Sequence, residues 1–273
     1  MTAVARDVLF MRALPLPIRE AGAALGRGCV LLLCLWSTLS CAAENYGNSE
    51  AAAGLIDELV AEEGFSAEEL QAVFANAEKQ NSIIEANSRP AEKVKPWFEY
   101  RKIFLTEERE SRGLDFYEEH REILQRAEAE TGVPAAMIVS IIGVETYYGR
   151  ISGSFRVIDA LSTLAFDDPR RAEFFRSELK HFLILTKEQG MDPTKLKGSY
   201  AGAMGLGQFM PSSFRSYAVD FDGDGVKDIW NNPADAIGSV ANYFKSHGWR
   251  PGDPVVYLAR AAEDVPEDVL VMS

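Results

Sequence analysis

The chain has 273 residues, 47% of them hydrophobic, enough to bury a core of ordinary size in one large or two small domains. Its 41 acidic side chains outnumber 28 basic ones, and the formal charge of −13 argues against a general nucleic-acid binder. All three cysteines, Cys29, Cys34 and Cys41, lie near the N-terminus, so the remainder must be held by its core, with or without a metal, rather than by disulfides.

The N-terminus reads as an export leader. Arg6, Arg12, Arg19 and Arg27 precede an apolar run from Cys29 to Leu39, and small residues follow at Ser40–Ala43. The run is too short for a permanent membrane anchor. Cleavage is expected after Ala42 or Ala43. The alternative is a lipoprotein in which Cys41, acylated, is the first mature residue and tethers the protein to a membrane.

Glu44–Ala53 is small and polar and is expected to be a flexible mature N-terminus. Leu55, Ile56, Leu59 and Val60 give a short amphipathic helix ending near Gly64. Ser66 and Glu69 form a capping box for a second, with Leu70, Val73 and Phe74 at helical spacing. Residues 87–96 (NSRPAEKVKP) break the period and read as a loop. The aromatic strip that follows, WFEYRKIF at 97–104, has two readings. One is core packing; the other is a set of faces on which sugar rings stack. Thr106 opens a helix with Glu107 and Glu108, and another covers Phe116–Thr131.

Val133–Gly149 (VPAAMIVSIIGVETYYG) is the stretch on which the chain turns. Pro134 suits a first helical turn, and Gly149 suits a stop. The residues between are apolar nearly all round, which predicts a buried helix carrying one charge, Glu145. A lone buried carboxylate is either paired, with Arg150 as one partner, or protonated near neutral pH, as a general acid must be. Arg150–Phe166 reads as a loop at Gly153 and Ser154. Asp167-Asp168-Pro169 reads as the start of the next helix. That puts Arg170 and Arg171 in a first turn whose dipole disfavours them, pointing either to an anionic partner or to pairing with Asp167, Asp168 or Glu173.

Lys197–Ser213 (KGSYAGAMGLGQFMPSS) brings backbone close to something, either a packed element or a ligand. Ser199 and Gln208 are its candidate hydrogen-bonders, and its glycines do not match a nucleotide-binding spacing. In Asp220–Asp235 (DFDGDGVKDIWNNPAD), Asp220, Asp222 and Asp224 fall at positions 1, 3 and 5 of an EF-hand-type loop. Gly225 takes the turn position, Val226 the carbonyl position and Asp228 position 9. Hard carboxylates in this pattern favour calcium. Position 12 holds Asn231 instead of Glu, and Asp235 is placed to supply the missing charge. Ala236–Trp249 is a helix stopped by Gly248, and the residues after Pro251 carry no firm pattern.

The segments GVETYYGR (143–150), DALSTLAFDDPRRAEFF (159–175), KGSYAGAMGLGQFMPSS, DFDGDGVKDIW (220–230) and NPADAIGSVANYFKSHGW (232–249) together resemble the membrane-bound lytic murein transglycosylase B family. The similarity is near continuous from Leu55 to Pro254. It implies a mainly α fold: a lysozyme-like helical catalytic core with a small N-terminal helical part and an EF-hand-like calcium loop. The implied layout is a signal peptide at 1–43, an N-terminal helical segment and linker at 44–96, a catalytic domain at 97–254 with the loop at 220–235, and a tail at 255–273. The implied activity is non-hydrolytic cleavage of the MurNAc–GlcNAc bond of peptidoglycan in the periplasm, leaving 1,6-anhydro-MurNAc ends. The enzyme would be outer-membrane-attached if Cys41 is lipidated.

The family's single catalytic carboxyl matches Glu145, and its cleft residues match Tyr100, Ser199, Gln208, Phe209 and Tyr243. Arg170 and Arg171 match positions linked to the substrate's peptide or acidic groups. Asp220, Asp222, Asp224, Val226 and Asp235 match the calcium ligands, with calcium structural and no organic cofactor expected. Peptidoglycan strands are the implied partner, with cell-wall synthesis proteins as further candidates and no nucleic acid. Family members usually continue past Trp249 with a segment that reaches the cleft wall, which this chain is expected to lack. The alternatives are a lysozyme-type hydrolase using an Asp as second carboxylate, and a peptidoglycan-binding scaffold with weak catalysis.

Overall fold

A computed structural model describes residues 44–88 and 95–256. The leader and Cys41 expectations, residues 89–94 of the linker and most of the tail lie outside these residues. The described chain is mostly helical: α1 (Glu50–Glu63), α2 (Ala67–Asn76), α3 (Asn81–Ser88), α4 (Trp97–Tyr100), α5 (Glu107–Glu119), α6 (Arg121–Thr131), α7 (Ala135–Thr146), α8 (Val157–Asp167), α9 (Ala172–Glu188), α10 (Pro211–Tyr217) and α11 (Pro233–Ser246). Two short strands, β1 (Phe155–Arg156) and β2 (Lys197–Gly198), pair antiparallel. Among the described residues, no single helix is long and apolar enough to cross a membrane.

Capping fixes several helix starts as the sequence predicts. Ser66 accepts from the Glu69 N–H, and Thr106 accepts from the Arg109 N–H. Gly64 ends α1 in the left-handed conformation. Asn232 caps α11 ahead of Pro233, three residues before the expected start.

The centre is α8, buried continuously from Val157 to Ala165 and packed along α9. The sequence reading placed a loop at Gly153 and Ser154, where the chain is irregular, but named no helix at Val157–Phe166 and set a helix start at Asp167. The structure supplies the helix and corrects the start. VIDALSTLAF is buried on its polar side as well as its apolar one, so no solvent-facing polar stripe marks it as a helix, and Asp167 is the last residue of α8. Asp168 turns back onto Arg170, accepting from its backbone N–H and its guanidinium, and α9 begins only at Ala172. Arg170 and Arg171 therefore lie in the turn before α9, not in its first turn.

One face of α8 holds the N-terminal segment. Asp159, Thr163 and Asp167 recur four apart, which aligns them on one side of a helix. Asp159 accepts from the Glu78 N–H at 2.9 Å, Thr163 from the Gln80 N–H at 3.0 Å, and Asp167 from the Tyr46 hydroxyl at 2.5 Å. Tyr46 is buried with its ring 5.3 Å from Phe166, and Ser49 caps α1. The expected flexible stretch at 44–53 is thus anchored, because a buried tyrosine tip finds a carboxylate. The apolar core runs unbroken from Tyr46 to Ala241, so the N-terminal helices share it with the rest.

The aromatic strip forms α4 and a 3-10 turn, and none of it is buried. Trp97 and Phe98 are 56% and 54% exposed, so the core-packing reading fails there.

Candidate active site

Helix α7 begins after Pro134, which is its N-cap rather than its first residue, and ends at Thr146, three residues before the expected stop at Gly149. Tyr147, Tyr148 and Gly149 follow with φ of 53°, 58° and 81°, three successive left-handed residues. Two of them carry side chains, which cost about 1–2 kcal/mol each in this conformation. The fold compensates locally. The Tyr148 ring occupies space that a Cβ on Gly113 or Gly143 would fill. The buried Thr146 hydroxyl accepts from the Gly149 N–H at 3.1 Å and lies 2.8 Å from the Leu206 carbonyl, which ties the helix end to the Gly-rich stretch.

The expectation of an α7 buried all round is corrected: Ile138, Val139 and Ile142 face the core, while Val144 and Glu145 face out. Glu145 stands on the wall of an open cleft of about 300 Å³. Ile141 flanks it on α7, with Gly207–Met210 and Ser213 across the floor and Val240, Tyr243 and Phe244 of α11 opposite. Among the described residues, no hydrogen bond or ion pair reaches the Glu145 carboxyl, so of the two alternatives the pairing with Arg150 does not form. Burial alone pushes it above the usual carboxylate range. A carboxyl on a concave wall is open to solvent yet surrounded by protein, and both conditions suit a proton donor to a large substrate.

The acids nearest in sequence do not join it. Asp159 bonds Glu78 and Arg156, Asp167 bonds Tyr46 and Lys79, and Asp168 bonds Arg170 and Asn87. Among the described residues lining the cleft, Glu145 is the single carboxylate.

The cleft brings together Glu145, Gln208, Phe209 and Tyr243. Gln208 adopts φ 51°, and its Nε2 donates to the carbonyls of Ser152 and Gly205, so Oε1 is the atom it has left for a ligand. A Cβ on Gly207 would meet Phe209 and Val240 within 3 Å, so the close approach here is to packed side chains. The Phe209 ring meets Tyr243 edge-on at 5.9 Å, and His247 stacks on Tyr243 at 4.0 Å.

The other substrate candidates do not line this cleft. Ser199 Oγ accepts from the Ala201 and Ala203 N–H groups and shapes the turn. Tyr100 sits on α4 with its ring 5.3 Å from Phe104. Arg170 is taken up by Asp168, whose carboxyl it holds well below the usual range, and Arg171 lies over Phe174. Sequence reasoning missed Met210 and Ser213, although both sit in the Gly-rich stretch that it singled out. It also missed Glu178, a buried α9 carboxylate that accepts from the Ser212 N–H and hydroxyl and so fixes the start of α10 beside the cleft.

At the acidic loop, carboxylate oxygens of Asp220, Asp222 and Asp235 lie within 4.8 Å of one another. Asp235 is fully buried in the first turn of α11 and accepts from the Phe221 and Asp228 N–H groups. Burial pushes its carboxyl up, and Asp222 and Asp220 add to the rise against those two bonds. Three crowded oxygens, one buried, make a donor set that fits a hard divalent cation. Asp224 stands outside this group of carboxylates and turns its Oδ1 to the Val226 N–H.

Comparison with known proteins gives consistent matches. The chain is 46% identical over 224 residues to the membrane-bound lytic murein transglycosylase B of Escherichia coli (strain K12), a match covering 79% of this chain and 62% of that protein. It therefore spans less than two thirds of that relative's length. The structure of soluble lytic transglycosylase SltB1 from Pseudomonas aeruginosa is 60% identical with a TM-score of 0.72, over 74% of this chain and 68% of that one. The Escherichia coli lytic transglycosylase Slt35 in complex with calcium is 47% identical with a TM-score of 0.72, over 76% and 66%. A mainly helical, lysozyme-like fold is common to them. With the family's model matching residues 47–271, the chain belongs to the transglycosylase SLT domain family.

Proposed function

We propose that the protein is a lytic murein transglycosylase that cleaves the MurNAc-β-1,4-GlcNAc bond of peptidoglycan without adding water. One observation carries this reading: Glu145 is the single carboxylate lining the cleft, free of partners among the described residues and raised by burial. Hydrolases of glycosides ordinarily use two carboxylates, one of them a nucleophile or base. A single one suffices where the substrate supplies its own nucleophile.

In this reading, protonated Glu145 donates to the glycosidic oxygen as the bond to the MurNAc anomeric carbon breaks. The oxygen of the N-acetyl group on the same sugar meets the positive charge. Glu145, now a carboxylate, takes the proton of the C6 hydroxyl as that oxygen closes onto the anomeric carbon. A 1,6-anhydro ring forms, and Glu145 is left protonated for the next turnover. Gln208 Oε1 accepts from a sugar hydroxyl, and Phe209 and Tyr243 give the rings apolar faces. Asp220, Asp222 and Asp235 would hold a calcium ion, with Asp224 and Val226 adjoining, and the ion would brace the segment between the Gly-rich stretch and α11. The substrate places the work in the periplasm, in line with the leader read in residues 1–43.

The test is mass spectrometry of the products from purified sacculi. Muropeptides ending in 1,6-anhydro-MurNAc are expected. Products one water heavier, with a reducing end, would overturn the reading in favour of a hydrolase. Binding without products would favour a scaffold.

A further inference from the structure

The end of α7 carries a second feature that the cleavage chemistry does not use. Three guanidinium groups surround one ring: the carbons of Arg109, Arg112 and Arg150 lie 4.5, 5.4 and 6.0 Å from the centroid of Tyr147. Arg112 pairs with Glu108 at 3.0 Å and donates to the Tyr147 hydroxyl at 3.0 Å. Arg109 donates to the Gly143 carbonyl at the end of the helix, where a cation is favoured. Neither Arg109 nor Arg150 has a carboxylate partner among the described residues, although the chain holds 41 acids against 28 bases. Helix capping accounts for Arg109 and the Glu108 pair for Arg112; neither explains Arg150, which is exposed.

The surroundings are apolar. Val144, Ile151 and Leu105, close in sequence to Tyr147, Arg150 and Phe104, are 45%, 64% and 64% exposed. Phe104 extends it, with Arg109 lying 5.4 Å over its ring. Tyr147 itself is held at φ 53°, and backbone strain of this kind persists where the surroundings enforce it, often at ligand sites.

We propose that Arg109, Arg112 and Arg150 around Tyr147 form a site for the carboxylates of the peptide stems that a murein strand carries. The inference rests on the murein reading above. Guanidinium groups bind carboxylates through paired N–H donors, and a tyrosine face with exposed Val144 and Ile151 suits the lactyl and alanyl methyls beside them. Arg170, which the sequence offered for this duty, is already bonded to Asp168.

The test is binding by the full chain with Glu145→Gln, which needs no turnover. The probes are uncrosslinked murein strands with their peptides intact and the same strands with the peptide carboxylates converted to neutral amides. Adding Arg150→Ala is expected to weaken binding of intact strands about tenfold, as for loss of a charge-assisted contact, and to leave the amidated strands unaffected. Arg150→Lys should recover part of the loss. Unchanged binding of intact strands overturns the proposal. So does an equal loss on both strands with a lower Tm, which would make the cluster an internal contact. If sacculi yielded no anhydro ends while the Arg150 dependence on intact strands remained, the cleavage reading would fall and the carboxylate site would stand.

Discussion

Helices α7 and α8 are alike in length and in apolar character, yet they use their carboxylates in opposite ways. On α8, Asp159 and Asp167 each bond a group of the N-terminal segment, and Asp168 just beyond bonds Arg170 and Asn87. On α7, Glu145 bonds nothing among the described residues. A bonded carboxylate is part of the scaffold, and losing it leaves a buried donor without an acceptor. An unbonded one on a cleft wall costs the fold something through desolvation and is free for chemistry. The comparison teaches that partner count, not helix position or sequence distance, separates the acid from the struts.

The sharpest way to break that contrast is Glu145→Gln. Cleavage is expected to fall by about a thousandfold or more, the scale of losing a general acid, with Tm essentially unchanged. Near-normal turnover would remove Glu145 from the acid role. The same residue sets a pH dependence. Its carboxyl must be protonated to donate, and burial raises it, so the rate should fall as pH rises through that raised value. A profile flat across that limb would contradict the assignment.

Asp159→Ala should do the reverse. It strips the acceptor from the Glu78 N–H and from Arg156 and is expected to cost about 1–3 kcal/mol in a denaturant titration, with turnover at saturating substrate little altered. A large activity loss at full stability would place Asp159 in the chemistry and revive the two-carboxylate reading.

The acidic loop lies between these cases, since Asp235 is both bonded and crowded by like charges. If a cation relieves that crowding, a calcium chelator should lower Tm by about 2–4 °C, and excess calcium should restore it. An unchanged melting curve would count against the metal.

Much of the site was legible before folding. Glu145 stood out as the one charge on an apolar helix, and the Gly-rich stretch held Gln208 and Phe209, which the fold brings to the same cleft. What misled was local pattern without context. Asp167-Asp168-Pro169 has the composition of a helix start, but Arg170 draws Asp168 into the preceding turn. VIDALSTLAF is enclosed on every side, its polar face covered by the N-terminal segment, so no exposed polar stripe marks it. The WFEYRKIF strip holds five large hydrophobic side chains, and none of them is buried.

By itself, the sequence determined the mainly helical class, the caps at Ser66 and Thr106, the lone acid on α7 and the carboxylate spacing of the loop, because propensity, capping and periodicity act within a few residues. Only the tertiary structure decided that Asp159, Asp167 and Asp168 bind the N-terminal segment instead of facing Glu145, and that three arginines gather on Tyr147. Apart from Arg150, three residues from Tyr147, those facts depend on which surfaces meet across more than thirty residues of chain, and no local pattern encodes the partner of a charge.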